Sequence, residues 1–251
     1  MEAIEKLFDT YSLNARVKPA FFLVFPVVIS VFVWFDASRS WGGAIVTFIV
    51  SFGIISFAAN QMSTKGNILQ DKLFKKWEGA PTTIVLRYAD ERIDTFTKER
   101  YMKKLEAMIP NFKFISIEDE RADPTKSDEM YRTATNFLKE NTRDTKKYPL
   151  VFKELISYGF SRNITAFKTL GLLLTSTSFV MSNYLIWFNY FKGIDGKFNE
   201  LIHSVPFIYV GLVVILSIFL LLWLFSINEK WVEIRAFSYA KSLLSTCEDK
   251  I

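Results

Sequence analysis

Four runs without a charged side chain constrain this chain more than any other feature: residues 19–35, 42–60, 169–191 and 205–227. A helix rises 1.5 Å per residue, so each run is long enough to cross ~30 Å of hydrocarbon, the first by the narrowest margin. Only DASRSW separates the first two, which forces an antiparallel hairpin. Trp34 and Trp41 then sit at the depth where interfacial aromatics collect. KGIDGKFNELIHS joins the second pair, and Trp187, Tyr190, Trp223 and Phe225 mark its interface levels. Pro26 predicts a kink in the first run, tolerated where neighbours satisfy the freed carbonyl.

Half of the residues are apolar, yet 23% are charged, and segregation reconciles the two. Residues 61–168 carry 21 of the 31 Lys and Arg, while the two short connectors carry Arg39, Lys192 and Lys197. Positive charge accumulates on the cytoplasmic side, so both termini and the central region are expected there. No cleavable signal peptide is expected, because the first apolar run follows a mixed-charge segment and lacks a small-residue cleavage site. The single cysteine, Cys247, excludes an internal disulfide framework and a cysteine metal site. The single histidine, His203, leaves little room for histidine chemistry.

The predicted architecture is mainly α, an integral membrane protein of four helices arranged as two hairpins around a mostly helical cytoplasmic domain. Residues 1–18 form an amphipathic lead-in, with Ile4, Leu7, Phe8 and Tyr11 at helical spacing, suited to the membrane surface or, as the alternative, to packing on the soluble domain. Residues 19–60 are hairpin 1, 61–168 the domain, 169–227 hairpin 2 and 228–251 a C-terminal amphipathic helix. Within the domain a helix continues out of the second run to Trp77, and GAPT breaks it. TTIVLRYA fits either a strand or a buried helix. Further helices are expected from Thr95 to Met108, from Ser127 to Glu140 and after Pro149, with a loop from Asn111 to Asp123. In the tail Trp231, Ile234, Phe237, Ser238, Lys241 and Leu244 recur at spacings of three and four, suited to docking on the domain or a neighbouring subunit. Cys247 falls in a frayed end.

The third run carries Thr175, Ser178, Ser182 and Asn189 on one helical face, with Ser176 and Asn183 beside it, and the second run offers Gly53, Ser56 and Asn60. These predict one wall of a water-filled path; the alternative is that small hydroxylated residues let helices pack closely. No span contains a charge, whereas ion-coupled transport keeps ionisable groups within the bilayer. Passive conduction through an oligomer needs only polar walls or a hydrophobic gate.

The basic residues Arg143, Lys146, Lys147, Lys153, Arg162 and Lys168, joined by Arg87, Arg92, Arg100, Lys103 and Lys104, are candidates for an anionic ligand. Tyr148, Tyr158 and Phe160 interleave with them and suit stacking on bases. Lipid headgroups and topology explain the same charge, most simply for Arg162 and Lys168. No enzyme is expected: GxxxxGK[ST], GxSxG, HExxH and CxxC are all missing. The carboxylates of IEDERAD and YADERID read as solvated loops and helix starts. No cofactor, metal or catalytic residue is predicted.

SLNARVKPA, KWEGAPTTIVLRYAD and ENTRDTKKYPLVFKELISYGFSRN resemble a family of bacterial four-span membrane proteins, over roughly the first 170 residues. The layout is similar to the pore-forming effectors of nucleotide-signalling anti-phage systems, most of all the channel effectors of Hailong systems. That resemblance implies a bacterial inner-membrane homo-oligomer, a tetrameric channel held closed by a short DNA oligomer, made by a partner nucleotidyltransferase, until infection removes it. It places the ligand at Arg87, Arg143, Lys146 and Lys147, to which the basic cluster adds Lys153 and Tyr148, and the pore along the third span. The expected function is therefore an ion channel gated by an anionic nucleotide on its cytoplasmic domain. The competing expectation is a membrane-anchored scaffold that recruits a cytoplasmic partner and conducts nothing; a membrane enzyme ranks third.

Overall fold

The computed structural model of the chain describes residues 9–192 and 205–248. The expectations for Ile4, Leu7, Phe8, Lys197 and His203 lie outside the described residues. Among those described, every regular element is helical, and four helices are long and apolar enough to span a membrane. The chain divides into two units, each built from two separate stretches of sequence: residues 1–67 with 160–228, and residues 68–159 with 229–251.

In the first unit, α1 (Thr10–Trp34) carries the first apolar run. From Thr10 onward the lead-in runs without a break into the apolar helix. Pro19 brings no N–H, so the Ala15 carbonyl four residues earlier lacks its helical donor. The Asn163 side chain supplies one instead, Nδ2 to the Ala15 oxygen at 2.6 Å. A π-helical turn over Leu13–Val17, closed by the Lys18 N–H on the Leu13 carbonyl, carries the chain through this point. Further along, Pro26 stays inside the helix, and Ser30 Oγ donates to its carbonyl at 2.7 Å.

α1 packs against α8 (Lys168–Phe191) and α9 (Phe207–Ser226). Val33, Leu212 and Leu216 form an apolar core there, flanked by Trp34 stacked on Tyr209 at 4.4 Å and Phe22 on Phe219 at 4.6 Å. Gly171 of α8 allows the Trp223 ring to close on its backbone, where a Cβ would stand 2.2 Å from the ring. The Lys168 ammonium donates to the Leu224 and Ile227 carbonyls at 3.2 and 2.7 Å, satisfying the end of α9. α2 (Trp41–Lys76) stands apart from this trio: 6% of its apolar window is buried, against 33% for α1.

The second unit has one main core and a smaller one beside it. α3 (Pro81–Ile84) opens with proline at its first position and continues into buried Val85 and Leu86, so TTIVLRYA is helical and turned rather than a strand. α4 (Thr95–Met108) is capped by Asp94, which accepts from the Thr97 N–H at 2.9 Å. The expected loop before Asp123 contains α5 (Ile117–Ala122), capped by Ser116. Glu120 of α5 anchors it by accepting from the Tyr88 N–H and the buried Tyr131 hydroxyl. α6 (Pro124–Asn141) buries Tyr131, Ala134, Thr135 and Leu138.

α7 (Pro149–Ala166) contributes Val151 and Tyr158 to this unit's cores. α10 (Glu229–Ser245) inserts Phe237, Ala240, Leu243 and Leu244 into the main core. The tail therefore docks on its own unit, but through a face rotated from the expected one. Ile234 is exposed, Val232 and Ala236 are buried, and Cys247 is a core residue rather than part of a frayed end.

Candidate functional site

The most site-like feature of the second unit is a groove of about 570 Å³ between the end of α2, α3 and the outer face of α6. Its floor follows from helical spacing: Arg132, Asn136 and Lys139 succeed one another at intervals of four and three, opposite the buried stripe of α6. Lys75 and Phe74 form one wall, and Thr82 and Thr83 the other. Glu78 turns the chain at φ 60° and Gly79 at φ 153°. A Cβ at Gly79 would stand 2.9 Å from Arg87 Nη2, so both conformation and space favour glycine.

The charge balance in this groove is uneven. Arg87 Nε and Nη2 donate to the two Asp128 oxygens at 2.9 and 2.7 Å, and Nη2 also donates to the Glu78 carbonyl. That bidentate pair neutralises Asp128 and pins the turn to α6. Among the described residues, no carboxylate pairs with Lys75, Arg132 or Lys139, and the Thr82 and Thr83 hydroxyls make no hydrogen bond. Lys139 reaches only Asn136 Oδ1, at 3.5 Å. The protein packed around it, and then the neighbouring Arg132 charge, hold its ammonium below the usual lysine range, although solvent still touches the side chain. Three cations thus face one free carboxylate, Glu78, in a groove of ligand-binding size.

The predicted ligand residues do not assemble here. Arg87 borders the groove, but its guanidinium is committed to Asp128 and the turn, so its role is structural. Arg143, Lys146, Lys147 and Lys153 are exposed and none lines the groove. Asp144 sits among them, accepting from the Lys146 and Lys147 N–H groups at 2.9 and 3.2 Å. Tyr148 corrects the stacking expectation: it is 4% exposed and part of the core, because the helix it precedes buries that side. Tyr158 is likewise buried, stacked on Tyr239 and bonded through its hydroxyl to Gln70 Oε1 at 2.8 Å. Lys75, Arg132 and Lys139 were missed because they are scattered in sequence. Their one local signal is the spacing of Arg132, Asn136 and Lys139.

The predicted pore stripe also divides. Thr175 and Ser182 are fully buried inside the first unit, and Ser182 Oγ accepts from Trp34 Nε1 at 3.1 Å. Their side of α8 faces α1 and α9, which removes them from any free polar face. Ser178 is half-buried, and exposed Asn189 donates back to the Leu185 carbonyl at 2.9 Å. On α2, by contrast, Gly53 and Asn60 are exposed, and a Cβ at Gly53 would meet nothing within 4 Å.

Among the described residues, no grouping of His, Cys, Asp or Glu could hold a metal ion. Lys98, the most enclosed lysine here, donates to the Arg87 and Asp90 carbonyls and serves as a brace for that turn. The chain matches no known protein family, no curated protein and no solved structure.

Proposed function

We propose that this chain is the subunit of a homo-oligomeric membrane channel whose non-membrane unit binds a phosphate-bearing ligand, a nucleotide or short oligonucleotide, and is gated by it. The observation that carries this reading is the groove's set of three cations without carboxylate partners, beside two unused threonine hydroxyls. Phosphate oxygens accept several charge-assisted hydrogen bonds at once, which suits that arrangement. Four uncharged spans supply a membrane part able to conduct passively. The ligand shifts gating only by its difference in affinity between open and closed states. In this reading the groove faces the cytoplasm, opening depolarises a bacterial inner membrane, and the conduit wall belongs to α2, at Gly53 and Asn60, since Thr175 and Ser182 are buried within the subunit.

The burial of Thr175 and Ser182 favours one rival, the non-conducting scaffold, because it removes half of the predicted polar wall. Planar-bilayer recordings of the purified protein with nucleotides and short DNA oligomers separate the two. The channel reading expects current that changes with ligand, and a tenfold or greater loss of ligand affinity in Arg132→Glu and Lys139→Glu variants that still conduct. No current in any condition, with ligand binding intact, would favour the scaffold.

A further inference from the structure

We infer that the cleft between α1 and α2 is a binding site for an anionic phospholipid, one acyl chain lying between the helices and the phosphate held at Lys18. The cleft measures about 530 Å³, and its walls are apolar except for Lys18, Thr47 and Ser51. Phe21 and Phe25 line it from α1, Phe48 and Phe52 from α2. From Lys18 to Phe32 it extends ~21 Å at 1.5 Å per residue, more than one leaflet's share of a ~30 Å core.

Two neighbouring antiparallel helices would ordinarily close such a gap by interdigitating their side chains. Here Phe21, Phe48 and Phe52 remain 51%, 71% and 52% exposed although all three face the cleft. α1 spends its other side on α8 and α9, and α2 buries little anywhere along its apolar stretch. Both walls are membrane-length helices, so the occupant comes from the hydrocarbon and must be long and apolar.

The charge at one end identifies its headgroup. Lys18 is exposed, stands directly before the uncharged run that begins at Pro19, and bonds only to Asn14 Oδ1 at 2.6 Å. Among the described residues, no carboxylate lies within ion-pair distance of it. An ammonium at the edge of an apolar slot selects a lipid of net negative charge over a zwitterionic one, whose own cation competes for the phosphate.

Native mass spectrometry of the full-length protein, released from micelles containing equal dioleoyl-phosphatidylglycerol and dioleoyl-phosphatidylcholine, tests this directly. The expected result is phosphatidylglycerol adducts outnumbering phosphatidylcholine adducts about tenfold. Lys18→Gln should abolish that preference, Lys18→Arg keep it, and Ser51→Trp, which fills the cleft, remove both lipids. Lys18 is exposed, so its variants remain informative even if the tryptophan variant misfolds. Equal retention of the two lipids by the unmodified protein, or a preference that survives Lys18→Gln, overturns the proposal. So does disulfide-linked dimer formation by a Ser51→Cys variant in membranes, which would seat a second copy in the cleft.

Discussion

At the scale of single residues, charge pairing matters more than charge. Arg87 and Lys139 border the same groove, yet one is neutralised and the other is not. Arg87 holds the Glu78–Gly79 turn to α6 through hydrogen bonds from its charged guanidinium to the Glu78 carbonyl and the Asp128 carboxylate, each contributing ~1.5–3 kcal/mol. Arg87→Met should therefore lower the unfolding free energy of the second unit by about 2 kcal/mol and loosen the groove wall. Urea titration followed by tryptophan fluorescence reads the loss, and an unchanged midpoint would refute the staple.

Cys247 supplies a second residue-scale prediction. Burial pushes its thiol up to about 12, so almost no thiolate exists in the folded protein at neutral pH. An unfolded cysteine titrates near ~8.5. The folded state thus holds its proton more tightly, and the stability this gives is complete below that value and falls as pH rises towards 12. Iodoacetamide at pH 8 should leave the native thiol unmodified and label it after denaturation. Rapid native labelling would place Cys247 outside the core.

At the scale of elements, the three-way contact around Asn163 decides how α1, α2 and α7 meet in the first unit. Its Nδ2 serves the carbonyl that Pro19 leaves free, and its Oδ1 lies where a Cβ at Gly66 would stand, 2.0 Å away. Asn163→Ala orphans the Ala15 carbonyl in a buried setting, a loss of ~1–3 kcal/mol. Gly66→Ala should produce a similar loss by displacing the amide, and the double variant should be less than additive because both act on one contact. Thermal unfolding in detergent of the four proteins forms the cycle; full additivity would separate the two residues. None of Gly66, Pro19 and Asn163 carries a recognisable signal alone, because the contact joins residues far apart in sequence.

For the whole molecule, the C-terminal helix is the participant that closes the second unit. A segment beyond the last span completes the core of the second unit, whose other stretch ends at Gly159. Phe237, Leu243 and Leu244 each contribute ~1.5–3 kcal/mol of burial, together comparable to the ~5–15 kcal/mol that holds a domain folded. A chain truncated after Asn228 should therefore insert in membranes but lose the protease resistance of residues 68–159. A limited-proteolysis pattern matching that of the full chain would show the tail to be dispensable.

Four helices long and apolar enough to span a membrane, and the helical character of the central region, were legible because each depends on local, additive physics. A charge in hydrocarbon is costly wherever its neighbours are, and a capping aspartate or a proline acts within one turn. The sites were not legible in that way. Tyr148 reads as a basic-patch aromatic until its helix turns it inward, and Thr175 and Ser182 read as a polar wall until α1 and α9 cover them. Lys75, Arg132 and Lys139 become a cluster only when α2 and α6 meet, and Arg87 leaves it only because Asp128 arrives at the same place. Sequence by itself determined which segments avoid water. Tertiary structure decided which polar groups have partners, because pairing depends on distances between residues that the chain brings together only by folding.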